Sequence, residues 1–167
     1  MNQNSSPTLR PAALLTIAGV LYFSEGLPYG LVSELFPLFL RTRGVSLTEI
    51  GLLSVVSLAW TLKFFWSPLV DWRGTYRAWI RGAILVMTLV LAAFAVTEAS
   101  TGSLFWTLVA ILALASATQD IAIDATTIAI TPKEMLGPVN SARVTTYRIA
   151  FIVAGGGVAA IASWLGW

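Results

Sequence analysis

Long apolar runs alternate along the chain with short connections rich in charge and turn-forming residues. A membrane-spanning helix takes about 20 mainly apolar residues. Five runs reach that length, at residues 11–40, 50–70, 79–97, 104–130 and 144–165. The segments between them are 41–49, 71–77, 98–103 and 131–143. Pro132, Gly137 and Pro138 mark the last as a loop. The first run is too long for the apolar core of a signal peptide, and four more follow, so it reads as a retained span. The pattern predicts an all-α integral membrane protein: a polar tail over residues 1–10, then a transmembrane helical domain over 11–167.

Composition sharpens this. Of 167 residues, 57% are hydrophobic and 11% charged, against roughly 45–50% and 25% in soluble domains. A chain this short cannot hide such an excess in a water-facing globule. The lipid bilayer is its implied partner; a soluble enzyme, a disordered tail and a nucleic-acid module are excluded. There is no Cys and no His, which removes thiolate chemistry, the commonest general base and the commonest zinc ligand. No cofactor motif is present.

Charge placement predicts orientation. With the N-terminus cytoplasmic, the inner connections hold Arg10, Arg73, Arg77, Arg81, Lys133 and Arg143, and the outer ones Arg41 and Arg43. That bias follows the positive-inside rule for a multi-pass protein of the inner (plasma) membrane. Trp66, Trp72 and Trp79 fall near the inner boundary and Trp106, Trp164 and Trp167 near the outer one, as interfacial indoles do.

Ionised groups inside spans cost a few kcal/mol or more each, so they call for a partner or a job. Six fall there: Glu25, Glu34, Lys63, Asp120, Asp124 and Arg148. At 1.5 Å rise per residue, Lys63, Asp124 and Arg148 each lie about 10 Å from the inner end of their spans. They are expected to form a cytoplasmic-side charge cluster, either a fixed ion-pair group or a gate that opens and closes. Asp120 and Glu25 lie deeper, about 16–21 Å in, with no cation level with them. Unpaired carboxylates at that depth suit a proton-coupling site; the alternative is hydrogen bonding to neighbours, or pairing with a residue not in this chain. Glu34 is expected at headgroups or Arg41.

Asp120 and Asp124 share a helix face with Ser116 and Thr127, and Gln119 lies beside it. Tyr22, Glu25, Tyr29 and Ser33 make a second polar stripe on the first span. Neither stripe can face lipid, so together they predict a polar cavity at mid-membrane. Pro28 frees a backbone carbonyl and bends the first helix. Gly26 and Gly30, and the run Gly155, Gly156 and Gly157, allow close helix approach or a hinge.

These residues form a family-like set. Phe23-Ser24-Glu25-Gly26-Leu27-Pro28, Lys63-Phe64-Phe65-Trp66-Ser67-Pro68-Leu69-Val70-Asp71, Ala117-Thr118-Gln119-Asp120-Ile121-Ala122-Ile123-Asp124-Ala125 and Tyr147-Arg148 with Gly155-Gly156 resemble, in order and spacing, motifs of AmpG-type muropeptide permeases and acetyl-coenzyme A transporters. The resemblance implies the major facilitator fold: two six-helix halves around a cavity, alternating access, and proton-driven import of a bulky solute. Asp71, Arg73 and Gly74 resemble that superfamily's loop between helices two and three, with Thr75 and Tyr76 where further arginines are common. Glu25 departs from the small polar residue usual in the muropeptide permeases. By this resemblance the chain holds the N-terminal five helices, with the sixth and the whole C-terminal half as missing partners, and small-molecule solute and protons as ligands. Alone it is expected to transport nothing. The competing readings are a non-transporting truncated membrane fragment and an intramembrane enzyme. The latter fits poorly, since Asp120 and Asp124 lie one turn apart on a single helix with roughly parallel side chains.

Overall fold

In the lipid core a backbone must satisfy its own polar groups, and helices do this within one segment. The computed structural model describes residues 10–97 and 101–165. Among them five helices are long and apolar enough to cross a membrane. They are α1 (Pro11–Thr42), α2 (Leu47–Phe65), α3 (Tyr76–Val96), α4 (Ser103–Ile130) and α5 (Lys133–Leu165). No strand occurs among the described residues. Residues 1–9 of the expected tail, Glu98 and Trp167 lie outside them.

Proline sets the shape of α1. Pro28 lies inside the helix, and a π-helical turn follows at Leu31–Leu35, just before Pro37. Missing N–H groups at both prolines disturb the usual ladder, and the wider turn absorbs the mismatch. A Ser46 capping box, reciprocated by Glu49, starts α2. Its last turn, Lys63–Phe65, tightens to a 3-10 helix, and the chain resumes as a short helix, Ser67–Trp72, with Pro68 in its first turn. Gly74 then reverses the chain at φ +80°, a conformation that L side chains rarely adopt.

One expected loop is corrected. Within residues 131–143, Lys133–Met135 form a 3-10 turn and helix resumes at Leu136. Pro138 sits in the first turn, where its N–H has no intrahelical partner to lose. Arg143 therefore lies on helix, two turns in.

Packing divides the bundle into layers. At one end Val32, Phe36, Phe39, Leu40, Leu53, Met87, Phe105 and Leu112 form a dry core. Phe105 anchors it, in contact with the rings of Phe36 at 5.5 Å and Phe94 at 5.6 Å. At the other end Leu14, Ala18, Tyr22, Ile123 and Val139 form a second core. Between them lies a polar layer on α1 and α4, with Glu25, Ser116, Gln119 and Asp120 all buried.

Glycine closes the α1–α5 seam. A Cβ on Gly26 would lie 2.7 Å from the carbonyl oxygen of Tyr147, and one on Gly30 would lie 2.9 Å from the Cβ of Ala154. On α5, a Cβ on Gly155 would lie 2.6 Å from the Cβ of Glu34. The close-approach reading thus holds at these three. It does not extend to Gly156, which has nothing within 4 Å.

Candidate functional site

The polar layer contains five charged side chains in contact, drawn from four helices. Glu25 comes from α1, Lys63 from α2, Asp120 and Asp124 from α4, and Arg143 from α5. One carboxylate oxygen from each of the three acids lies within 4.8 Å of the others. The Lys63 ammonium bonds Asp120 and lies 3.6 Å from Asp124. Arg143 donates to Asp124 at 3.1 Å and covers the Tyr22 ring at 4.7 Å. Tyr22 donates its hydroxyl to the same Asp124 oxygen at 2.9 Å.

The sequence reading placed no cation level with Asp120, and the structure corrects that. Depth counting measures backbone height, whereas a Lys head travels along a flexible four-carbon stem. The tightened turn at Lys63–Phe65 also displaces α2 from a regular helix. Glu25 sits against the two aspartates, and its Oε2 is buried with no hydrogen-bond partner among the described residues.

A second correction concerns the cluster's membership. Lys63 and Asp124 meet as expected, but Arg143 takes the place given to Arg148. Because α5 turns helical at Leu136, Arg143 and Tyr147 fall four residues apart on one face. Recognising Pro138 as a first-turn proline would have revealed this. Arg148 is exposed and lines the adjoining cavity instead.

That cavity measures about 370 Å³ and is lined by Glu25, Tyr29, Trp60, Asp120, Arg143, Val144, Tyr147 and Arg148. Sequence reasoning supplied Glu25, Tyr29, Asp120 and Arg148 but missed Trp60, Arg143, Val144 and Tyr147. Tyr29 meets Trp60 edge-on at 5.0 Å and Tyr147 at 6.1 Å. The result is a pocket with an aromatic wall and charges of both signs. Gln119 is buried behind it and donates to Ser24 at 3.3 Å. A larger groove of about 690 Å³ between α3 and α4 is walled by apolar side chains such as Val86, Ile111 and Leu114. Arg73 is its one charged lining residue, so it offers no acid–base chemistry.

The Asp71, Arg73 and Gly74 turn is a separate structure. Asp71 accepts from the Tyr76 hydroxyl at 3.1 Å, and the Arg73 carbonyl accepts from the Trp79 indole at 2.6 Å. These bonds tie the start of α3 to the end of the short helix. Glu34 is exposed and packs its stem against Gly155.

With this geometry in hand, similarity to known proteins has a physical meaning. The profile of the family described as acetyl-coenzyme A transporter 1 matches residues 14–162, which include every charged group of the cluster. The chain belongs to this family. Among its relatives, the anhydromuropeptide permease of Escherichia coli K12 is 34% identical over 164 residues, 93% of this chain and 33% of the permease. A Rickettsia felis protein described as putative transporter AmpG 4 is 31% identical over 149 residues, 83% of this chain and 36% of that protein. A fission yeast protein of the same similarity, uncharacterized, aligns over 146 residues. The chain spans about a third of the length of these relatives. It is a multi-pass, all-α membrane protein of the acetyl-coenzyme A transporter family.

Proposed function

We propose that this chain forms the N-terminal five helices of a secondary active transporter in the inner membrane, importing solute with protons by alternating access. Its N-terminus is cytoplasmic in this reading, supported by the arginines at 73, 77 and 81 near one end of the bundle. A sixth helix and a C-terminal half complete the cavity, because rocking about a midplane site needs both walls. The solute is muropeptide-like, after the permease it resembles; the family description favours a nucleotide-linked acyl group as the second reading. Both are bulky and polar, and both suit a pocket with an aromatic wall and charges of both signs.

The observation that carries the reading is the charged cluster itself, set between two apolar cores and facing a cavity. Buried charges are costly and weak evidence for stability. Their presence at mid-bundle is explained by work: Glu25 and Asp120 exchange protons, Gln119, Tyr22 and Tyr29 shape the cavity, and Lys63 and Arg143 re-pair as the bundle rocks. Asp71, Arg73 and Gly74 hold the inner turn through that motion. An enzyme reading is disfavoured, since Asp120 and Asp124 are tied to cations.

The test is uptake of labelled anhydromuropeptide by the full-length protein in proteoliposomes, with and without an inward proton gradient. Accumulation should need the gradient. Asp120→Asn and Glu25→Gln, made separately, should each lower gradient-driven accumulation at least tenfold and leave solute exchange measurable. Unchanged pH dependence of uptake in both variants overturns the proton assignment.

A further inference from the structure

Three carboxylate oxygens gathered within 4.8 Å would ordinarily make a cation site. Here a tethered cation already stands among them. Lys63, from a different helix, bonds Asp120 and lies 3.6 Å from Asp124, so its positive charge stands between these two carboxylates. We propose that Lys63 is a built-in counter-cation that excludes metal ions from the Glu25–Asp120–Asp124 cluster and so selects a proton over sodium. The inference rests on the transport reading above and adds the ion specificity of the same site.

Charge and geometry carry it together. Around the cluster, α1 supplies Tyr22, Glu25 and Tyr29, α2 supplies Lys63, α4 supplies Asp120 and Asp124, and α5 supplies Arg143, Tyr147 and Arg148. The ion pairs of Lys63 and Arg143 go to Asp120 and Asp124, so within these contacts the three acids carry one negative charge more, with Arg148 lining the cavity beside them. One proton removes that excess without needing coordination space. A sodium ion needs several oxygen ligands at bonding distance, and the ammonium bonds one of the three carboxylates and sets its charge against a second. Glu25 Oε2 and the side-chain oxygens of Ser116, Gln119 and Thr127 are buried with no partner among the described residues. Oxygen donors are therefore plentiful, and the ammonium is what stands against a metal. Arg143 cannot substitute for it, because among the described residues its ion pair is with Asp124, and it stacks on Tyr22.

The experiment compares thermal unfolding of the solubilised full-length protein in sodium chloride and in choline chloride at equal ionic strength. Wild type should unfold at the same temperature in both. Lys63→Met should gain several degrees in sodium specifically, and adding Asp120→Asn should abolish that gain. Lys63→Arg, which keeps the positive charge, should remain indifferent to sodium. Sodium stabilisation of wild type would overturn the proposal, and so would a Lys63→Met protein that ignores sodium. If Lys63→Met fails to fold, Lys63→Gln takes its place with the same expectation. This readout needs no uptake, so failure here is distinct from failure of the transport reading.

Discussion

Helix α3 has the most apolar 18-residue stretch of the five spans, yet only 17% of that stretch is buried in the protein; the stretch in α4 is less apolar, and 56% of it is buried. In water the order would reverse. Lipid tails solvate Leu and Val as well as a protein core does, so apolarity no longer drives a helix inward. Polar groups do need the interior, where other side chains can satisfy them. Ser116, Gln119, Asp120 and Thr127 place α4 at the centre, and α3, with Ala83, Met87 and Val90 as its buried residues, stays at the rim. Burial in this bundle follows polarity and close packing, not hydropathy.

The most disruptive change should fall where backbones touch. Gly26→Val puts a branched side chain 2.7 Å from the carbonyl of Tyr147, and a backbone atom cannot move aside as a side chain would. Overpacking a core typically costs about 1–3 kcal/mol, and this site belongs at or above the upper end. Gly82→Val on α3 meets nothing within 4 Å and should stay within about 0.5 kcal/mol of wild type. Reversible unfolding of the full-length protein in mixed micelles measures both. Equal losses at the two glycines would show that α3 is packed against something as firmly as α1 is.

Two leucines give the next largest contrast. Leu112 on α4 is fully buried, whereas Leu85 on α3 is 60% exposed. Truncation to Ala moves little surface between unlike solvents at either place, because lipid and core are both apolar. What remains is lost dispersion contact, and that loss is confined to the packed site. Leu112→Ala should cost about 2–3 kcal/mol, at the low end for buried leucines, and Leu85→Ala about 0.5 kcal/mol or less. A large loss at Leu85 would contradict the rim position of α3.

How much of this was legible beforehand follows the same division. The spans and the membrane environment were read from run length, because the bilayer imposes a length on every helix it accepts. The face of α4 that turns inward was equally readable, since Asp120 and Asp124 cannot face lipid. Pairing was not. Lys63 reaching Asp120 depends on a flexible stem and a locally tightened turn, neither of which a depth count represents. Arg143 was hidden by Pro138, a residue that signals a loop in most contexts and a helix start in this one. Gly156 shows the converse error: glycine in a run reads as contact, yet only Gly155 touches α1.

A smaller loss than at Gly26 or Leu112 is expected at the entry to α2, a helix that resembles α3 in having little of its 18-residue apolar stretch buried, 11%. With so little packing to place it, the helix start is fixed by hydrogen bonds. Ser46 accepts from the Glu49 backbone N–H at 3.2 Å, while the Glu49 carboxylate accepts from the Ser46 backbone N–H at 3.4 Å. Both residues are exposed, so water can replace either bond in part. Ser46→Ala should therefore cost about 0.5–1 kcal/mol, the lower half of the usual range for lost caps. Hydrogen exchange separates this from a packing loss: amides of the first turn of α2 should exchange faster, with those around Trp60 unchanged. Faster exchange reaching the Lys63 turn would mean that the cap positions the charged cluster as well as the helix end.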